Sequence, residues 1–334
     1  MKGTRSSAPA ERGEEWCCCN IDEVAFVTQE TEPPDIPYAD WAPTKETLHL
    51  YVQLVDKVRL ASTHPRNHWW HVPLYVDVRG LTTRQMRLGA TSFDLSFDFL
   101  EHQLVLRTDR GESASFALED GLSVAEFDAS LRRLLDEHEL SVAITRQPFG
   151  LKTNLPFPED REHSSYDADA VARYWRALQW VDGVLDEFAS WFSGKASPVH
   201  LFWHSLDLAY TRFSGRPARP PAELDPVTRE AYSHEVISFG FWAGDDAQPH
   251  PSFYSYTAPE PPALTTHELA PVEAQWQEGP TGSLALLPYD VVRASPDPRS
   301  TLLGFLQSAY EAGATAAEWD TAALASSFTP KRPG

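Results

Sequence analysis

Val52-Gln53-Leu54-Val55-Asp56-Lys57-Val58 returns later in the chain as Leu178-Gln179-Trp180-Val181-Asp182-Gly183-Val184. After each copy comes an aromatic run with a histidine, Trp69-Trp70-His71-Val72-Pro73-Leu74-Tyr75 and then Pro198-Val199-His200-Leu201-Phe202-Trp203. Farther on, Leu95-Ser96-Phe97-Asp98-Phe99-Leu100 is echoed by Ile237-Ser238-Phe239-Gly240-Phe241-Trp242. Three matches in one order point to an internal duplication. The spacing between copies grows along the chain, as insertions in the surface loops of the second copy would produce. The expected fold is therefore α+β: a helix–antiparallel strands–helix unit used twice, its halves packed about a pseudo-dyad.

The flanking sequence supplies the elements. Pro43-Thr44 reads as a helix start with Thr44 as N-cap, and Leu48, Tyr51, Val52, Val55 and Val58 follow at helical spacing as one apolar face. Past Pro65-Arg66-Asn67, the run from Trp69 to Val78 reads as a strand. Phe93-Asp94-Leu95-Ser96-Phe97-Asp98-Phe99 alternates strictly, with further strands at Leu104–Thr108 and Ser113–Leu118. Ser123-Val124-Ala125-Glu126 is a capping box opening a second helix, and Val142–Thr145 reads as a short strand. The second unit opens at Asp167 with a long amphipathic helix. Strands at Val199–Tyr210, Val236–Phe241, Phe253–Tyr256 and Leu284–Leu287 follow, and Asp297-Pro298 caps a closing helix. The expected boundaries are a flexible leader at 1–35, a first unit at 36–148, a connector at 149–166, a second unit at 167–321 and a frayed tail at 322–334.

Composition narrows the function classes. The 334 residues are 42% hydrophobic and carry a formal net charge of -20, with no basic stripe of the kind that phosphate backbones require. Nucleic acid and anionic membrane surfaces are thus not expected partners. Cys17, Cys18 and Cys19 are adjacent and the rest of the chain has none, so a reducing, cytoplasmic setting is expected. No apolar stretch approaches the roughly 20 residues of a bilayer span, and the leader lacks the apolar core of a secretory signal. The oligomeric state is not readable.

As a set, His68-Trp69-Trp70-His71-Val72-Pro73-Leu74-Tyr75, Ser197-Pro198-Val199-His200, Phe213-Ser214-Gly215-Arg216 and Tyr232-Ser233-His234-Glu235-Val236-Ile237-Ser238 resemble an uncharacterised bacterial family described only as a domain of unknown function. The resemblance runs from about Ile36 to Trp319 and implies no activity or cofactor. In the family form the position of His204 is glycine, which weakens any site built on His204.

No phosphate loop, dinucleotide-binding Gly-x-Gly-x-x-Gly, hydrolase elbow or His-Glu-x-x-His helix is present, since His234-Glu235 is followed at the fourth place by Ser238. A histidine constellation remains. His71 and His200 occupy matching places in the two units, and His234 with Glu235 stands at a strand entry. Neutral imidazoles with a carboxylate suit either acid/base catalysis or a transition metal, with His71, His200 and His234 as candidate ligands. His204 shares a strand face with His200 but lies about 13 Å away. Arg212 is the candidate for gripping an anion, and Trp70, Trp203 and Tyr232 are candidate pocket walls. Together these predict a small organic acid or aromatic metabolite, bound or transformed in an aromatic, histidine-containing cleft between the halves. The alternatives are a non-catalytic ligand sensor using the same cleft, or a protein-interaction scaffold.

Overall fold

The structure, a computed structural model, describes residues 32–279 and 282–327. It opens on α1, Tyr38–Ser62, about seven turns of helix ahead of the first strand. Every residue from Thr47 to Arg59 is buried, so α1 is wrapped on all sides rather than presenting one apolar face. Two of the polar members keep their place on backbone groups: His49 Nε2 lies 2.6 Å from Trp203 O, and Gln53 exchanges two bonds with the Phe149 backbone. The helix begins at Tyr38, not at Thr44, and takes Pro43 inside it. Thr44 Oγ1 instead accepts from the backbone N–H of Asp167, tying α1 to the start of another helix.

The first sheet is a meander of β1 Tyr75–Asp77, β2 Gly80–Thr82, β3 Met86–Leu88, β4 Thr91–Asp98, β5 Gln103–Thr108 and β6 Ser113–Ala117. Both β2 and β3 pair with β4, as two pieces of one broken strand. Alternation in β4 buries Phe93, Leu95 and Phe97 while Asp94 and Ser96 stay half-exposed. Gly80, at φ 156°, is required here, because a Cβ would meet Phe97 O at 1.9 Å. The capping box at Ser123 is formed and opens α2, Val124–Glu137, whose Phe127 stacks on Tyr51 at 4.1 Å. Val142–Thr145 is irregular, not a strand.

Asp167 caps α3, Ala168–Ser190. The second sheet follows as β7 His200–Phe202, β8 Asp207–Pro217, β9 His234–Trp242, β10 Ser252–Ala258, β11 Gln275–Gly279 and β12 Gly282–Pro288, in spatial order β11-β12-β10-β9-β8-β7. A six-residue helix, α4 Pro226–Ala231, interrupts β8 and β9. The short α5, Tyr289–Arg293, leads to α6, Pro298–Ala316, which Asp297 caps as expected. Thr321–Leu324 is a last turn, α7, and Ala325 bridges back to Phe192. One face of this sheet carries Tyr210, Arg212 and Phe239 against Phe188 of α3; the other carries Thr211, Phe213, Ser238 and Tyr256.

The two sheets meet edge to edge. Leu74 and Leu201 exchange backbone bonds of 3.0 and 2.8 Å, and the flanking Tyr75 and His200 contact each other on the opposite side, ring centroids 6.3 Å apart. Across the same junction, Trp175 of α3 donates to Asp77 O of β1. The described residues form one compact α+β unit.

Candidate functional site

The stretch expected as a strand from Trp69 turns instead. Asn67–Trp69 is a single 3-10 turn, with His68 at φ 55° and Trp69 at φ 60°. Two successive left-handed residues without glycine cost roughly 1–2 kcal/mol each, and α4 supplies the compensation. His68 N–H donates to Glu230 Oε1 at 3.0 Å, its Nδ1 lies 3.2 Å from Ala231 O, and Trp69 Nε1 donates to Val227 O.

The turn throws the His68 ring onto the open face of the second sheet. There it meets Phe213 at 4.6 Å, Trp70 at 5.3 Å and His234 at 5.4 Å between centroids. The closing member is Lys195. Residues 195–197 run antiparallel to the end of β8, with Phe213 N–H on Lys195 O and Ser197 N–H on Thr211 O, so Lys195 stands opposite Phe213. Its Nζ is 2.6 Å from His68 Nε2, 4.7 Å from the Phe213 ring centroid and 5.5 Å from that of Trp70.

This geometry fixes the protons. Only an N–H can be shared with a carbonyl, so His68 Nδ1 carries the hydrogen toward Ala231 O and Nε2 presents a lone pair to the lysine. Burial, then the neighbouring ammonium, hold the His68 imidazole below its usual range, while Glu230 pulls the other way. Burial also lowers the Lys195 ammonium, with Glu230 opposing. His68 is 4% exposed whereas Lys195 reaches solvent. The result is a cation with a mobile proton, framed by two aromatic faces and backed by a base.

Of the residues expected from the sequence, Trp70 and His234 are in this cluster. His71 is not: its Nδ1 accepts the Arg66 N–H and its ring stacks on Trp69 at 5.2 Å. His200 lies two pairing rows along the same sheet face, sealed between Tyr75 and Phe202 at 1% exposure, with both ring nitrogens lacking a protein partner. Strand alternation sends Glu235 away from His234 into a bond with Arg216, which also holds the carbonyls of Ala317 and Glu318. So the three candidate metal ligands sit in three surroundings. Among the described residues no group of three or more His, Cys, Asp or Glu is arranged to hold a metal.

Arg212 grips no outside anion. It is 1% exposed, caged by Phe188 at 3.6 Å and Tyr310 at 4.5 Å, and donates to Phe188 O and Tyr210 Oη. Trp203 lies under Lys57 at 5.1 Å, away from the cluster, and Tyr232 shares a 3.1 Å hydroxyl contact with Tyr256 one row farther on. Sequence reasoning missed His68, Lys195, Phe213 and Glu230 as partners, since a strand from Trp69 leaves His68 no fixed neighbour. The available signal was a lysine two residues before the Ser197-Pro198-Val199-His200 string. All four strings that carried the family resemblance supply or adjoin members of this one cluster.

No helix among the described residues is long and apolar enough to cross a membrane. No curated protein and no solved structure matches the chain. The family model that does match spans residues 33–326, nearly the whole folded body, and the chain thereby belongs to a family of unknown function, DUF5996.

Proposed function

We propose that this is a cytosolic protein with a ligand cleft over the cluster of His68, Trp70, Lys195, Phe213 and His234, where it binds or transforms a small organic acid or aromatic metabolite. The observation that carries the reading is the 2.6 Å contact between Lys195 Nζ and His68 Nε2, framed by Trp70 and Phe213. A flat ligand gains area against the part-exposed Trp70, which Phe213 backs from the core, and its polar end, a carboxylate or carbonyl oxygen, meets the ammonium in a partly dry setting where that contact is strengthened. His68 is the group placed to take or return a proton.

The same reading includes a duplicated ancestry. Each half opens on a helix, continues through six strands and closes on helix, the second with α4 between β8 and β9, and the halves touch through Leu74 and Leu201. If these two are counterparts, the equivalent of His200 is Pro73 rather than His71, and the loops of residues 63–74 and 191–199 are the matching pair that meets at the cleft. The test is a thermal-shift series with aromatic and aliphatic carboxylates and carbonyl compounds on the full chain. A ligand at a hundredfold excess over Kd adds about 2.7 kcal/mol, and Lys195→Met abolishes that gain. Equal stabilisation of the Lys195→Met variant would move the site elsewhere.

A further inference from the structure

The lysine–histidine contact does more than present a charge. An amine attacks a carbonyl only through its lone pair, so a nucleophilic lysine must first hand a proton to a neighbour. Here the neighbour is prearranged. His68 cannot accept at Nδ1, whose hydrogen is committed to Ala231 O, and its free Nε2 lies 2.6 Å from Lys195 Nζ. The backbone N–H of His68 is held by Glu230 Oε1, and this carboxylate also favours the imidazolium that would form. The lysine is accessible while its base is buried. Burial favours the uncharged amine over the ammonium, against the cation–π attraction of the nearby Trp70 and Phe213 rings.

We infer that Lys195 captures an aldehyde or ketone of a flat, conjugated molecule as an imine, with His68 as its acid and base. The inference rests on the cleft reading above and narrows the polar end of the ligand to a carbonyl carbon. His68 Nε2 takes one ammonium proton, and the amine nitrogen forms a bond to the carbonyl carbon. The carbonyl oxygen receives the proton back from Nε2 as the carbinolamine forms. Nε2 then takes one of the nitrogen's two remaining hydrogens and passes it to that hydroxyl, which departs as water and leaves the protonated C=N bond. No electrons enter or leave.

The probe is 4-hydroxybenzaldehyde with cyanoborohydride on the full chain, which converts any imine into a stable secondary amine for peptide mass spectrometry. The expected result is labelling at Lys195 at least tenfold faster than at any of the other five lysines. His68→Gln is expected to slow it by about 100-fold, the usual scale of a lost acid/base group. As a control on folding, the wild-type labelling rate should fall as pH drops and Nε2 becomes protonated. Labelling of Lys195 no faster than of the exposed Lys152, or a rate indifferent to both His68→Gln and pH, overturns the inference. The matched acid, 4-hydroxybenzoate, separates the two readings. Stabilisation by the acid without an adduct from the aldehyde leaves the cleft standing and removes the imine; neither effect removes both.

Discussion

Arg212 shows how far a side chain's role can depart from its chemistry in isolation. A guanidinium among aromatic residues is equally suited to gripping an anion or to being gripped, and the string Tyr210-Thr211-Arg212-Phe213 does not say which face turns outward. Pairing decides it: Arg212 falls on the helix-covered face with Tyr210, and its charge is met by rings and a carbonyl. Arg212→Ala leaves a large void and leaves the Phe188 carbonyl only the Trp191 N–H, and should cost about 3–5 kcal/mol in urea unfolding. His200 is equally interior, and burial pushes its imidazole down to about 3, with Arg84 and Arg59 acting in the same direction. The unfolded chain takes that proton near 6.5 and the folded one does not. The contribution is intact above pH 6.5 and drains as pH falls toward 3, reaching about 3 kcal/mol by pH 4.5. His200→Leu should therefore flatten the loss of Tm between pH 6.5 and 4.5. Asp182 works with the opposite sign. Burial, then the nearby Asp186, raise its carboxyl to about 7, so the folded state gains relative stability as pH falls from 7 toward 3.8. Asp182→Asn should raise the Tm at pH 8 and have little effect at pH 4.

Among the elements, those set by local rules were legible. The capping box at Ser123, the Asp167 and Asp297 caps, and the strict alternation of β4 need only a few neighbouring residues, and each is where the sequence put it. Ser123→Ala should lower stability by about 1 kcal/mol in denaturant titration, with Glu126 left without its hydroxyl partner. What failed was set from a distance. The chain at His68 and Trp69 is aromatic and β-prone, yet α4, more than 150 residues on, bends it into a left-handed turn through three hydrogen bonds. The cluster at Lys195 was hidden for the same reason, since its members come from four separate segments and none carries a local signature. The early start of α1 was missed because Pro43 reads as a boundary when it is an interior residue.

On the scale of the whole molecule, the halves share one core and many contacts, among them the Leu74–Leu201 pair, Trp175 on Asp77 O, Thr44 on the Asp167 backbone and His49 on Trp203 O. A chain whose halves share a core should unfold in one transition, with tryptophan fluorescence and far-ultraviolet circular dichroism superimposing; two separated transitions would mean independent halves. The edge-to-edge meeting of the sheets also decides what is left over. It uses up β1 and β7, so β6 and β11 become the outermost strands, Ser113–Ala117 and Gln275–Gly279, each five residues long. Such strands are templates that another copy of the chain can extend. Their shortness and a formal net charge of -20 oppose that pairing at neutral pH. Acidification withdraws that repulsion while leaving the strand edges in place, so edge-to-edge growth is the expected route by which copies associate in acid.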